Sequence, residues 1–145
     1  MERIEIRSPQ TPIEWEKYYD LRYRILRAPL GQERGSEKNE GDASGKHFAL
    51  FVEDKICAIG RLDSAADNQG QARFVAVEEG FGGKGYGSML MLKMEEFAKD
   101  SGQIGMILQA REGAVEFYKN LDYSLIEKTH LLFGQVQHYL MRKSF

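Results

Sequence analysis

A mixed β-sheet of about seven strands with helices packed on it, an α+β (α/β) fold, is predicted by three observations. Apolar periodicity along the chain alternates between strand and helix spacing in the order β-α-β-β-β-α-β-α-β-β. A glycine-dense stretch, Val75-Ala-Val-Glu-Glu-Gly-Phe-Gly-Gly-Lys-Gly-Tyr-Gly-Ser88, sits where a strand hands over to a helix. The 145 residues are 42% apolar and 29% charged, without repeats, low-complexity tracts or linkers, so residues 1–145 are expected to form one domain.

Glu2 to Arg7 alternates polar and apolar residues and reads as a half-buried strand. Thr11-Pro12-Ile13-Glu14 is a capping box with proline at the first helical position. The helix it opens runs to about Leu26 and buries Trp15, Tyr18, Leu21 and Ile25. Its far end carries Arg22, Arg24 and Arg27, placed either to favour the helix dipole or to line an entrance for an acidic group. Residues 28–46 are irregular and rich in glycine, a length that marks a functional loop, with Glu37, Glu40 and Asp42 able to attract an amine. His47–Glu53 and Ile56–Leu62 form a hairpin about Asp54-Lys55, and Gln71–Val77 is the fourth strand. The helix from about Gly85 places Tyr86, Leu90, Met94 and Phe97 at helical spacing and ends near Ser101-Gly102. Ile104–Gln109 is a short buried strand, Glu112 to about Leu121 a helix, and Tyr123–Phe133 and Gln135–Arg142 two last strands joined at Gly134.

The first-turn N–H groups of the helix after the glycines lack intrahelical partners and carry the positive end of its dipole. Glycines there let a ligand approach the backbone, so the stretch is a cradle for a phosphate or pyrophosphate. A Walker P-loop fails because Gly85 follows Lys84 and Glu78 stands at the position of the first glycine. A dinucleotide fingerprint fits poorly. Gly83, Gly85 and Gly87 are evenly spaced, and the next strand ends in Gln109-Ala110-Arg111 rather than in an acid for a ribose.

Gly82-Gly83-Lys84-Gly85-Tyr86-Gly87 resembles the Gln/Arg-x-x-Gly-x-Gly/Ala signature of the GCN5-related N-acetyltransferase (GNAT) superfamily, with Gly82 where Arg or Gln is usual. Arg111-Glu-Gly-Ala114-Val-Glu-Phe117-Tyr118-Lys-Asn-Leu121-Asp122-Tyr123 is similar to that family's second motif. There Arg111 replaces Asn, and Asp122-Tyr123 replaces Gly-Phe. His138-Tyr-Leu-Met141-Arg-Lys143 looks like the last strand of several small bacterial members. The sequence resemblance covers about residues 74–142, and the topology the whole chain.

The resemblance implies a small single-domain acetyl-CoA-dependent N-acetyltransferase acting on a primary amine of a small molecule. Main-chain N–H groups at Val75, Ala76 and Val77 would bind the thioester carbonyl. Gly82, Gly83, Lys84, Gly85, Tyr86, Gly87 and Ser88 would hold the pyrophosphate, and Arg111, Ala114 and Phe117 would flank the cofactor. Tyr118 would protonate the departing thiolate as general acid. His138 titrates in the range of a general base, with Glu78, Glu79 and Glu112 as other candidates. Relatives that modify protein lysines carry an acid on the fourth strand, where this chain offers Arg73.

Net charge of −2 gives no basic footprint for nucleic acid. No apolar run approaches the ~20 residues of a membrane span, and the N-terminus is unlike a signal peptide. The lone Cys57 reads as a small buried residue and agrees with a reducing cytoplasm. His47, His130 and His138 are scattered, so no metal site is expected. A homodimer is compatible with the resemblance. The competing readings are a catalytically idle acyl-CoA-binding domain, to which the departures at Gly82, Arg111, Asp122 and Tyr123 point, and a dinucleotide-dependent enzyme.

Overall fold

In the computed structural model, which describes residues 2–145, strands β1 (Ile4–Arg7), β2 (Lys46–Val52), β3 (Lys55–Ala65), β4 (Gln69–Val77), β5 (Gly105–Arg111), β6 (Ser124–Leu132) and β7 (Val136–Ser144) share one sheet. Their order is β1-β2-β3-β4-β5-β7-β6. Every pairing is antiparallel except β4 with β5. That exception follows from connectivity, since helix α2 (Tyr86–Asp100) carries the chain across from β4 to β5. Helix α1 (Pro12–Leu26) covers the opposite face. Helix α3 (Val115–Lys119) is a short turn after a 3-10 segment at Glu112–Ala114, briefer than the helix the sequence predicts there.

The sheet is buried on both faces where the helices cover it. In β2, Phe48, Leu50 and Val52 pack on the α2 side while Ala49 and Phe51 pack on the α1 side. This is why the strand reads as an unbroken apolar run rather than an alternation. On α2 the buried stripe is Tyr86, Leu90, Met91, Met94 and Ala98, and Phe97 stands at its margin, partly exposed, its ring edge against Phe48. Glu95 lies inside this stripe. It accepts hydrogen bonds from the Tyr123 hydroxyl at 2.9 Å and from Lys143 Nζ at 2.7 Å, which balances its charge.

Thr11 caps α1 by accepting from the Glu14 N–H at 3.1 Å. Trp15 and Ile25 are half-buried, and Tyr18 and Leu21 are fully buried. The stretch after α1 holds 3-10 turns at Ala28–Leu30 and Glu40–Ala43. Two of its acids are not free to meet a substrate, contrary to the expectation from sequence. Asp42 Oδ1 accepts from Arg22 and from Arg61, each at 2.8 Å, while Asp42 Oδ2 closes a capping box with Asn39. Arg61 also grips Asp63 through paired bonds of 2.8 Å. Glu37 is buried and accepts from the Gly35 N–H at 2.7 Å. Burial alone would raise the Asp42 carboxyl, but the two guanidiniums outweigh it and hold it below its ordinary range. Glu40 alone of the three acids is exposed. Among the described residues no helix is long and apolar enough to cross a membrane.

Candidate active site

The parallel pairing of β4 with β5 stops at Ala72 opposite Leu108, although β4 continues to Val77 and β5 to Arg111. Beyond that point the strands part, and the edge of β4 that faces β5 has no ladder partner. The β3–β4 register shifts in the same place, between Ile59 and Arg61, and Phe74 there adopts φ 55°. Such a bulge in a non-glycine residue costs roughly 1–3 kcal/mol and re-aims the strand. Phe74 then packs toward the α1 side while Val75 and Val77 pack toward α2. The opening holds a cavity of about 200 Å³, floored by Leu26, Val75, Leu108 and Ala114 and reached by Tyr118, His138 and His130.

The glycine loop leads from the C-terminal end of β4 into α2. Gly80, Gly83 and Gly85 have φ near 80°, in the left-handed region, and Gly85 is the residue before the helix. A Cβ at Gly82, Gly83 or Gly85 would meet nothing within 4 Å, so the backbone there is open to a ligand. No side chain caps the helix, and its first turn carries no acid. Among the described residues, no N–H from Gly82 to Ser88 donates to a protein acceptor; the first helical bond runs from Met89 to the Gly85 carbonyl at 3.0 Å. These donors and the helix dipole make a site for a phosphate group. Gly87 has a different role. A Cβ there would lie 3.2 Å from the Phe117 ring and 3.3 Å from Val77, so glycine lets α2 approach β4 and α3.

Tyr118 is buried against Phe117 and Tyr123. Its hydroxyl makes no hydrogen bond among the described residues, although the ring lines the cavity. Burial raises its pKa further above the ordinary tyrosine value, so it stays protonated at every physiological pH. His138 faces Arg111 across the β5–β7 ladder. Its Nδ1 lies 3.0 Å from the Val136 carbonyl, which accepts a hydrogen bond from an Nδ1–H tautomer and leaves the Nε2 lone pair free. Burial first, and then the nearby charges of His130, Arg111 and Arg27, lower the His138 pKa despite the opposing bond to Val136. Imidazole, rather than imidazolium, is therefore the neutral-pH form.

Of the residues singled out in the sequence, Val75, Arg111, Ala114, Tyr118 and His138 line the one cavity. The glycines and Lys84 form the adjoining loop, and Phe117 reaches Gly87. Arg111 sends its guanidinium across the opening to the Leu26 carbonyl, 2.7 Å away, at the end of α1. Glu78 is held by a bidentate pair with Arg24 at 2.8 and 3.0 Å, which lowers its pKa and makes it a poor base. Glu79 and Glu112 are exposed and line no part of the cavity. Sequence reasoning passed over His130, stacked on His138 with ring centroids 4.4 Å apart. A position eight residues before His138, across the tight β6–β7 hairpin, was the available signal. Among the described residues, no cluster of three or more His, Cys, Asp or Glu side chains could hold a metal ion.

The model of the acetyltransferase (GNAT) family matches residues 5–123. The uncharacterized N-acetyltransferase YjcF of Bacillus subtilis (strain 168) is 28% identical over 107 residues, 74% of this chain and 76% of that protein. Escherichia coli ElaA superposes with a TM-score of 0.82 at 16% identity, covering 99% of this chain and 100% of the other. An aminoglycoside 6'-N-acetyltransferase complexed with coenzyme A superposes with a TM-score of 0.81 at 15% identity, over 98% of this chain and 96% of that one. With most of its length matched by the family model, and its parted strands and glycine loop in place, the chain belongs to the acetyltransferase (GNAT) family and is an acetyl-CoA-dependent acyltransferase.

Proposed function

We propose that the protein moves the acetyl group of acetyl-CoA to a primary amine of a small molecule by direct attack, with Tyr118 and His138 as its acid and base. One observation carries this reading: the hydroxyl of a largely buried tyrosine, open to the cavity and without a protein partner, shares that cavity with a histidine whose Nε2 is free. The pyrophosphate would bind the N–H groups of Gly82 to Ser88, including Lys84. The pantetheine arm would run past Val77 and Phe117 into the opening, beside Ala114 and Arg111. The thioester carbonyl would meet the unpaired edge of β4 at Val75 and Val77, on either side of Ala76, which is paired with Ile59 of β3.

In the reaction, Nε2 of His138 takes a proton from the ammonium form of the acceptor. The free amine attacks the carbonyl carbon, the carbon–nitrogen bond forms, and the oxyanion develops against main-chain N–H groups. As the carbon–sulfur bond breaks, its electron pair goes to sulfur and the Tyr118 hydroxyl supplies the proton; the second proton, which the acceptor nitrogen loses as it becomes an amide, restores the Tyr118 phenol. The neutral phenol suits this task, because it places no charge in the site until the departing thiolate takes its proton. A reducing cytoplasm is the proposed location, in keeping with a free and buried Cys57, and residues 1–145 act as one domain.

Tyr118→Phe tests the assignment. The ring remains, so folding and the acetyl-CoA-induced rise in melting temperature should be kept, while kcat falls by about 10²–10⁴-fold. The loss should ease with an acyl donor whose leaving thiol is more acidic. Wild-type kcat in this variant, with chemistry limiting turnover, would return Tyr118 to the role of a packing residue.

A further inference from the structure

The cavity between β4 and β5 is lined by Arg27, Arg73, Arg111, His130 and His138 and by no Asp or Glu. That is unexpected in a chain whose net charge is −2. It is also unexpected for a site that must receive an ammonium ion. Acids are available on the neighbouring elements, but they are committed elsewhere. Asp42 and Asp63 neutralise Arg22 and Arg61, and Glu78 neutralises Arg24. Among the described residues Arg27, Arg73 and Arg111 form no ion pair.

The guanidiniums are held as if waiting for an anion. Arg27 donates only to the Leu26 and Ser36 carbonyls, at 3.1 and 3.2 Å, and sits over the Phe74 and Phe133 rings. Arg111 donates to the Leu26 carbonyl. Arg73 has no protein acceptor among the described residues and packs on Phe74 at 5.4 Å. Arg27 and Arg73 therefore meet on the Phe74 ring, which belongs to the α1 side of the sheet. The glycine loop and Tyr118 belong to the α2 side. Burial lowers the pKa of Arg27 and Arg111, and for Arg27 the repulsion from Arg111, Arg22 and Arg73 adds to the effect against the opposing charge of Glu37. An anion placed among these groups would relieve that repulsion and gain hydrogen bonds between charged partners, which are about twice as strong as neutral ones.

We propose that the acceptor is a small amine that also carries an anionic group, a carboxylate or a phosphate, bound by Arg27, Arg73 and Arg111 on the α1 side of the opening. This rests on the acetyl-transfer reading above. The anion would anchor the acceptor while its amine faces His138. The limited volume of about 200 Å³ confines it to a molecule of few atoms at its reacting end.

The test uses the whole protein and matched acceptors that differ in charge: β-alanine against β-alaninamide, γ-aminobutyrate against its amide, and O-phosphoethanolamine against ethanolamine. Release of the coenzyme thiol should be at least about tenfold more efficient, as kcat/KM, for the anionic member of a pair. The pair with the larger preference tells carboxylate from phosphate. In Arg73→Gln that preference should fall to within about threefold through KM for the acceptor, with KM for acetyl-CoA unchanged. Equal or better turnover of the neutral members would overturn the proposal. So would a rise in KM for acetyl-CoA alone, since the arginines would then serve the cofactor. Calorimetry gives an arm without turnover: N-acetyl-β-alanine should bind the CoA-loaded protein at least about tenfold more tightly than N-acetyl-β-alaninamide. Equal binding overturns the anion site even if every amine fails as substrate. Failure of the acetyl-transfer reading looks different: acetyl-CoA would then leave the melting temperature unchanged and no acetylated product would form.

Discussion

Two groups of arginines lie within reach of the same Phe74 ring, and they differ in what they lean on. Arg22 and Arg61 are fully buried and clamp Asp42, which ties the loop of residues 28–46 to α1 and β3. Arg27 and Arg73 touch the ring as well, yet line the cavity without a carboxylate partner among the described residues. A guanidinium that meets its acid inside the fold is structural, and it is costly to strand. One left facing a cavity is stored for a ligand. The difference lies in the partner, since the residue type is the same in the two groups.

The largest effects should come from breaking each group at its centre. In the cavity, His138→Gln should lower kcat/KM by about 10²–10⁴-fold with the fold intact. The His138 pKa is lowered, so the wild-type base form persists down through neutral pH. Its activity should fall along an acidic limb only below about 6.5, the ordinary histidine value. A limb that survives in the variant would mean another group is the base. In the buried group, Asp42→Asn leaves two guanidiniums without their anion and should cost about 3–5 kcal/mol in urea unfolding. Because folding depresses the Asp42 pKa, its contribution is complete above the unfolded value of about 3.9 and is lost as pH falls through the folded value. The difference in stability between wild type and Asp42→Asn should therefore shrink in acid. An undiminished difference would point to packing in place of charge.

A smaller contrast lies in the glycine loop. Gly85 needs φ 83°, whereas Gly82 has no positive φ, and neither would crowd a neighbour with a Cβ. Gly85→Ala should lose about 1–2 kcal/mol through backbone strain, and Gly82→Ala should stay within about 0.5 kcal/mol. Equal stabilities would show that the loop relaxes freely and that its shape is not fixed before the cofactor arrives.

Most of the architecture was legible because it is written in local patterns. The Thr11 cap, the alternation in β1 and the glycine loop fixed elements to within a few residues. Asp122, which replaces the family's glycine, keeps φ 73°, a left-handed geometry that Asp tolerates. What local pattern could not show was partnership across the chain. Glu95 looks solvated beside Lys93 and Glu96, but its partners Tyr123 and Lys143 lie 28 and 48 residues away. Asp42 looked like a free acid because Arg61 is 19 residues further on. The same blindness hid His130, and it left Arg22, Arg24 and Arg27 undivided between the helix-dipole and entrance readings. Arg22 and Arg24 are paired and Arg27 is not.

The direct measurement of the contrast is the unfolding free energy of Arg61→Gln beside that of Arg73→Gln, both in urea at neutral pH. Arg61 bonds Asp42 and Asp63 from a fully buried position, so its loss should cost about 3–5 kcal/mol. Arg73 is exposed and without an acid partner among the described residues, so its loss should leave stability within about 0.5 kcal/mol of wild type. A comparable loss in both variants would contradict the account, because the cavity arginine would then be holding the fold together as well.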